Sequence, residues 1–228
     1  MSDAEDDREV RIAIARSIKT RGKIPTIADV AAALGKDTRF VDASFARMIE
    51  GRVFRPRKDS HEIYAYNPFC VGPTDFFVTV AGRVWFGIDA WDALGIPAAL
   101  GEAGVIETHC PDCGEELILE VDADGGTDEQ TWIVMQLGVR ARDFWKDIEF
   151  TESTILLFTS EDHAARWRAK AKPPAFTTLT VEQATGLAHK WYARKLDPDW
   201  RRFTDLEAEV IFDDLALDPA FWHLIPTA

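Results

Sequence analysis

The 228-residue sequence is poor in cysteine and has no long apolar run, and each shortage excludes a class of protein. Three cysteines, an odd number, cannot form a disulfide framework, so we expect a reducing, cytoplasmic location. No stretch approaches the roughly 20 apolar residues of a transmembrane helix, and we expect no membrane partner. The acidic start, Met1 to Glu9, lacks the apolar core of a secretory signal.

Several cofactor and metal motifs are also missing. The sequence has no Gly-rich phosphate loop, no G-x-S-x-G elbow and no dinucleotide fingerprint, and we expect no cofactor. Cys110 and Cys113, in "HCPDCGE", have the spacing of a zinc knuckle, with His109 adjacent. A structural zinc needs four ligands, however, and there is no second Cys-x-x-Cys. The five scattered histidines show no metal-ligand spacing, so we expect a tight turn with one buried thiol and no metal; completion of a site by Cys70 or a distant histidine is the less favoured alternative.

Negative charge is concentrated in one part of the chain. The formal net charge is −13, of which residues 1–70 contribute +2 and residues 71–228 contribute −15. An acidic surface repels the phosphates of nucleic acids. The charge therefore argues against a nucleic-acid partner and is otherwise typical of a soluble surface.

Residues 1–70 read as three helices followed by two short strands. Thr26 can cap a helix that ends at Gly35, and a further short helix runs from Thr38 to Glu50. The segments "RVFRPR" and "EIYAYNPF" are typical of a strand pair. This order predicts a winged-helix-like unit over 1–70.

The helix that would contact DNA in such a unit has few positive charges for binding it. Arg39 and Arg47 lie beside Asp37, Asp42 and Glu50. DNA-binding helices usually concentrate positive charge on one face. We therefore expect a structural role for this unit.

Residues 71–228 are predicted to form an α+β core of antiparallel strands and helices. "DFFVTVAG" and "RVWFGI" indicate a hairpin that turns at 81–82, and a short helix follows from Asp89, bent or ended near Pro97. "ELILEVDADGG", "QTWIVMQLG" and "IEFTESTILLF" are expected to be strands. Ser160 should cap a helix, "KPPAFTTLT" reads as a linker, and the tail is helical.

Three segments together resemble the organomercurial (alkylmercury) lyases. They are the helical unit leading into "AYNPF", the pair "AWDALGIPAALG" and "HCPDCGEELILEV", and "FWKDIEFTESTILLFTSEDHAARW". The resemblance covers most of residues 24–222. It implies a fold with a helical N-terminal unit and an enzyme that cleaves a carbon–mercury bond by protonation.

The resemblance also implies catalytic positions, and this sequence departs from the family at two of them. In the family, a helix-start cysteine and a strand cysteine hold Hg(II) as thiolates, and an aspartate three residues after the first helps to deliver the proton. Here the helix-start position is Asp89, the aspartate is kept as Asp92, and the strand position is Glu152. Carboxylates are hard ligands and capture mercury poorly. The resemblance therefore implies a carboxylate site in a small-molecule enzyme that does not act on organomercurials.

The resemblance, together with the chemistry of these residues, suggests a role for each of them. Asp92 is expected to carry the proton, Asp89 to be its partner base, and Glu152, pointing inward from a strand, to be a second acid or an orienting group. The carboxyl groups should couple within one largely apolar pocket, which raises at least one pKa. Trp85 and Trp91 flank Asp89 and are expected to contact the substrate.

Other interpretations of the same residues stay open. Asp89 is a good helix N-cap, and Asp92 suits the positive end of the helix dipole, so both can be structural. The same pocket could belong to a non-catalytic protein that binds a small molecule, or a hard divalent cation through oxygen. A winged-helix regulator with a degenerate lyase core is a third hypothesis.

Overall fold

In the computed structural model, which describes residues 2–127 and 131–225, three helices precede two antiparallel sheets. The first elements are α1 (Asp3–Arg21), α2 (Ile27–Leu34), α3 (Thr38–Glu50), β1 (Arg55–Pro56), β2 (Ile63–Tyr66), β3 (Phe69–Cys70), β4 (Phe76–Val80), β5 (Arg83–Gly87), α4 (Ala90–Leu100), β6 (Gly104–His109) and β7 (Glu116–Val121). The later elements are β8 (Val134–Leu137), a 3₁₀ helix (Ala141–Lys146), α5 (Ile148–Ser153), β9 (Leu156–Phe158), α6 (Glu161–Ala171), β10 (Thr177–Thr180), α7 (Val181–Tyr192), α8 (Asp205–Asp214) and α9 (Pro219–Trp222). No described helix is both long enough and apolar enough to cross a membrane.

The larger sheet joins the N-terminal residues to the rest of the chain. Its seven strands lie in the order β1-β2-β3-β5-β4-β6-β7, and every neighbouring pair is antiparallel. β3 pairs with both β2 and β5, so the sheet is continuous across residue 70. The expected strand pair around residue 59 forms as β1 and β2, at one edge of this sheet. The winged-helix assignment of residues 1–70 stays a prediction.

Helix α4 lies against this sheet and carries the first candidate residues. Its sequence is almost wholly apolar, and every residue from Ala90 to Ala99 is buried. The helix begins at its N-cap Asp89 and ends at Gly101, whose φ of 71° is the left-handed conformation that favours glycine. Pro97 does not end the helix, which continues to Leu100, because apolar packing on both sides holds the last turn in place.

The smaller sheet corrects two expectations from the sequence. The segment "IEFTESTILLF" is not one strand: residues 148–153 form α5, and only residues 156–158 form β9. Asp147 caps α5 by accepting a hydrogen bond from the N–H of Phe150 at 3.0 Å, so a local cap overrides the β-branched composition. The expected linker "KPPAFTTLT" contains β10, which pairs with β8 in the order β10-β8-β9.

Buried charged groups stand out against the apolar core. The largest fully buried side chains are apolar or aromatic, among them Trp222, Phe45, Phe69 and Phe158. Burying a charge costs free energy unless the group is paired or neutralised. The charged side chains that are nevertheless buried are Arg11, Asp89, Asp92, Glu152 and Lys195.

Candidate active site

Four of these five buried charged residues line one cavity of about 530 Å³. Its wall combines large aromatic rings with both acidic and basic side chains. The charged residues of the lining are Arg52, Arg55, Asp89, Asp92, Arg142, Glu152, Lys195, Arg202 and Asp205. The cavity therefore offers apolar contact surface and titratable groups in the same space.

Asp89 lies at the start of α4, and only 4% of its surface is exposed. Its Oδ1 accepts a hydrogen bond from the N–H of Asp92 at 2.9 Å, which is the N-cap interaction expected from the sequence. Burial raises the pKa of Asp89 well above its usual value, and the negative charges of Asp92 and Glu152 raise it further. Both effects favour the protonated form of this carboxyl group.

Asp92 lies in the first turn of α4, and two side chains donate to its carboxylate. The hydroxyl of Tyr192 donates to Oδ1 at 2.6 Å, and the amide of Asn67 donates to Oδ2 at 2.8 Å. Burial raises the pKa of Asp92 to about 6, and the donors Tyr192 and Asn67 oppose a larger rise. Asp92 is therefore mostly ionised near pH 7.

Glu152 reaches the cavity from α5 rather than from a strand. The expected shared face with Phe150 is wrong, because Phe150 is exposed whereas Glu152 is buried. The guanidinium of Arg55, on β1, forms an ion pair with Oε2 of Glu152. Burial raises the pKa of Glu152 to about 8, and the positive charge of Arg55 opposes that rise.

Lys195 is a buried basic residue in the cavity wall. It was not among the site residues predicted from the sequence. Its Nζ lies 3.8 Å from the ring centroid of Trp200 and 4.2 Å from that of Tyr66. Burial lowers the pKa of Lys195 to about 7, and the charge of Asp92 opposes this change. No local pattern in "YARKL" reveals this position, because the environment is built by chain segments that are far apart in sequence.

Aromatic rings form much of the remaining wall. Trp91 lies 5.2 Å from Trp191 and 5.9 Å from Trp222, measured between ring centroids. Trp91 lines the cavity, as the predicted substrate contact requires. Trp85 instead packs 5.0 Å from Phe69 and is not among the described side chains that line this cavity.

A second group of reactive side chains lies at the end of the β6–β7 hairpin and includes a histidine that the sequence analysis did not link to the two cysteines. Cys110, Cys113 and His163 place one ligand atom each within 4.8 Å of one another. His163 lies in the first turn of α6, where the N-cap Ser160 positions it. The group could not be predicted from the sequence, because the histidine is 50 residues from Cys113 and no fixed spacing links them.

The sulfur of Cys110 has an environment that favours the thiolate. Burial raises its pKa, but the backbone N–H groups of Thr159, Cys113 and Asp112 outweigh burial and lower the pKa to about 7. Cys70, by contrast, is buried and its pKa is raised. The thiolate of Cys110 is thus stabilised, whereas burial disfavours that of Cys70.

Comparison with known proteins places the chain in a family. A sequence model described as "MerB: Alkylmercury lyase" matches residues 69–193, which is more than half of the chain. The chain belongs to the alkylmercury lyase family. The matched segment contains Asp89, Asp92 and Glu152 as well as the cysteine–histidine group.

A solved structure of the same family has a similar fold. It is described as "Crystal structure of the mercury-bound form of MerB2", and it superposes with a TM-score of 0.63 at 20% sequence identity. The alignment covers 82% of this chain and 91% of that chain. At this identity the likeness establishes the fold alone. A search of curated proteins found no match.

Proposed function

We propose that this member of the alkylmercury lyase family is a lyase-like enzyme that uses Asp89, Asp92 and Glu152 to protonate a small organic substrate, cleaving a carbon–carbon or carbon–heteroatom bond. The observation that carries the proposal is the burial of three carboxyl groups in the wall of one cavity. Burying three acids together costs free energy, and a purely structural role would not offset that cost. Perturbed acids in a cavity are typical of acid–base catalysis.

We assign the role of general acid to Asp89 and that of general base to Asp92, which is the reverse of the roles expected from the sequence. Asp89 is the better general acid, because burial and its acidic neighbours raise its pKa and favour its protonated form. Asp92 is held ionised by Tyr192 and Asn67 and acts as the partner base. Pairs of carboxyl groups with separated pKa values commonly divide the work in this way.

The proposed step requires no oxidant or reductant. The proton of Asp89 passes to a substrate carbon, and the electron pair of the broken bond forms the new C–H bond. The other fragment leaves as an electrophile; carbon dioxide, lost from a carboxylate, is such a fragment and needs no acceptor. Water then returns a proton to Asp89, with Asp92 as the adjacent base that relays it.

The cavity lining supports a flat substrate that carries an anionic group. Trp91, Trp191 and Phe144 provide aromatic surface, and such rings pack edge-to-face or stacked against other rings. Arg55 and Lys195 provide cations next to the carboxyl groups. A small aromatic carboxylate fits both features.

The donors around the carboxyl groups disfavour the alternative of a hard-cation site. Tyr192 and Asn67 occupy the oxygens of Asp92, and Arg55 pairs with Glu152. A divalent cation would have to displace these donors and would meet the positive charges of Arg55 and Lys195.

Proton transfer can be tested with a panel of small aryl carboxylates in D₂O, with products analysed by mass spectrometry. We expect a product with one deuterium on carbon, and we expect Asp89→Asn to lower the rate by at least ~100-fold, the usual share of a general acid. Asp59→Asn is the matched control, because Asp59 is exposed and its positive φ suits asparagine. Saturable quenching of tryptophan fluorescence without any product would favour the non-catalytic binding protein.

Organomercurials are expected not to be substrates, because no sulfur stands at positions 89 and 152. The assay must follow benzene release from phenylmercury with excess thiol, rather than mercury binding, since the Cys110 and Cys113 thiols can bind mercury without cleaving it. We expect release at the background rate. Catalytic release that Asp89→Ala abolishes would show that carboxylates can replace the thiolates.

A further inference from the structure

The turn between β6 and β7 has the geometry of a metal-binding knuckle. Cys110 and Cys113 flank it, the N–H of Gly114 donates to the carbonyl of Cys110 at 2.8 Å, and Gly114 has a φ of 74°. Glycine adopts this left-handed conformation without strain, so the turn can fold back sharply. The backbone N–H groups of Asp112 and Cys113 donate to the sulfur of Cys110, which favours it as a thiolate ligand.

The third candidate ligand comes from a different element. His163 in α6 brings a ring nitrogen to within 4.8 Å of both sulfur atoms. The hydroxyl of Thr159 lies 3.6 Å from the sulfur of Cys110 and 3.9 Å from that of Cys113, so the two thiols face the same point. We propose that Cys110, Cys113 and His163 bind a thiophilic divalent cation, Zn²⁺ being the one that fits best.

The distances allow zinc with only small movements. Tetrahedral zinc with bonds of roughly 2.0–2.3 Å separates neighbouring ligand atoms by about 3.5–3.8 Å. The ligand atoms here are at most 4.8 Å apart, so closing on an ion requires shifts of about 1 Å. Cys113 is exposed, and its side chain is free to make such a shift.

Asp112, between the two cysteines, orients the histidine. Its Oδ2 lies 2.9 Å from Nδ1 of His163. A carboxylate that accepts the Nδ1 proton leaves Nε2 as the ligand atom, the usual arrangement around zinc-bound histidine. A guanidinium nitrogen of Arg166 lies 2.6 Å from the same Nδ1, and Nε of Arg166 donates to Oδ2 of Asp112 at 2.7 Å. Coordination through Nε2 would require the first nitrogen to move away from the protonated Nδ1.

A second cavity lies beside His163. This cavity has a volume of about 370 Å³ and is lined by His163, Thr159, Glu115 and Glu116. No other His, Cys, Asp or Glu of the described residues joins the group, so a solvent molecule would complete the tetrahedron. The bound ion would link the β6–β7 hairpin to α6 across 50 residues of sequence and would keep one position open to solvent.

Metal content and a cobalt spectrum test the proposal. Protein purified under reducing conditions and dialysed against Zn²⁺ should retain one equivalent by mass spectrometry of the metal. Titration with Co²⁺ should give a thiolate-to-cobalt charge-transfer band, which carboxylate ligands in the other cavity cannot produce. Cys113→Ser, at an exposed position that should fold normally, is expected to lose that band and to weaken Zn²⁺ binding on the order of 100-fold.

Three further variants make the result specific. His163→Gln should behave like Cys113→Ser, whereas His109→Gln, in the same motif but outside the group, should bind like the unmodified protein. Cys70→Ser controls for loss of a thiol elsewhere. Equal Zn²⁺ affinity in Cys113→Ser and the unmodified protein, or a cobalt complex without a charge-transfer band, would overturn the proposal.

Discussion

Asp89 is both the N-cap of α4 and a buried acid, and the two roles can be separated by substitution. Its side chain accepts the N–H of Asp92, which an asparagine oxygen does equally well. The raised pKa concerns only the ionisable proton. An isosteric amide thus keeps the cap and removes the acid.

Asp89→Asn should make folding stability less dependent on pH. Because the pKa of Asp89 is raised in the folded protein, its contribution to stability is fully present below about pH 4 and is lost as the pH rises towards the raised pKa. The loss amounts to at most ~1.4 kcal/mol per pH unit. We expect the variant's free energy of unfolding in urea to exceed that of the unmodified protein by more at pH 7 than at pH 5. Parallel curves for the two proteins would refute a raised pKa; Asp59→Asn is the control.

Tyr192→Phe should raise the pKa of Asp92 above its value of about 6. The tyrosine hydroxyl donates to Oδ1 of Asp92 and favours the ionised form, so its removal leaves burial less opposed. Carboxyl-carbon NMR of the labelled protein measures this titration without a substrate. Tyr64→Phe, which removes a hydroxyl with no hydrogen bond to Asp92 among those of the described residues, should leave the titration in place. An unchanged or lower midpoint in Tyr192→Phe would contradict the assigned hydrogen bond.

Among the elements, α4 and α7 determine the shape of the site because they pack at a glycine. A Cβ at Gly95 in α4 would lie 2.1 Å from Cδ2 of Tyr192, far inside van der Waals contact. The absence of a side chain at Gly95 therefore lets the ring of Tyr192 approach α4 and reach Asp92. Packing between helices and proton chemistry are coupled at this point.

Gly95→Ala should destabilise the fold and disturb Asp92 together. Overpacking typically costs about 1–3 kcal/mol, and the displaced tyrosine should weaken its hydrogen bond to Asp92. Urea unfolding and the NMR titration of Asp92 measure the two effects. Gly186→Ala in α7 is the matched control: its Cβ would lie 3.2 Å from a flexible Leu215 methyl group, and we expect no loss of stability. Equal behaviour of both variants would argue against the tight contact.

At the scale of the whole molecule, the charge distribution bears on the regulator hypothesis. Of the two arginines on α3, Arg47 already pairs with Asp7 of α1 at 2.5 Å, while Arg39 is exposed. Residues 71–228 carry a net charge of −15, against +2 for residues 1–70. On α3, a phosphate backbone would therefore meet one exposed arginine.

We expect no binding to duplex DNA above that of an unrelated acidic protein. A gel-shift titration at low salt is the most permissive test, because phosphate attraction is strongest there. Sequence-selective binding at nanomolar protein would favour the regulator, and Arg39→Ala should then weaken it. Arg8→Ala, an exposed arginine on α1, controls for general loss of charge.

Local chemistry alone was enough to predict several elements and the positions of two candidate residues. The Ala81-Gly82 hairpin, the cap at Asp89 and the cap at Ser160 depend on neighbours within about four residues, and each forms as predicted. The family was also evident from contiguous segments, and the match over residues 69–193 confirms it. The prediction of one strand after Asp147 was wrong, because the β-branched composition favoured a strand whereas the cap at Asp147 begins α5.

Tertiary structure decided what the sequence left open, because the deciding contacts join distant residues. Asn67 and Tyr192 hold Asp92 from 25 and 100 residues away, and Arg55 meets Glu152 from 97 residues away. These contacts reverse the acid and base roles expected for the two aspartates in the proposed mechanism. His163 joins Cys110 and Cys113 for the same reason. The residue types were determined by the sequence, but burial and long-range partners set their pKa values, and these exist only in the folded chain.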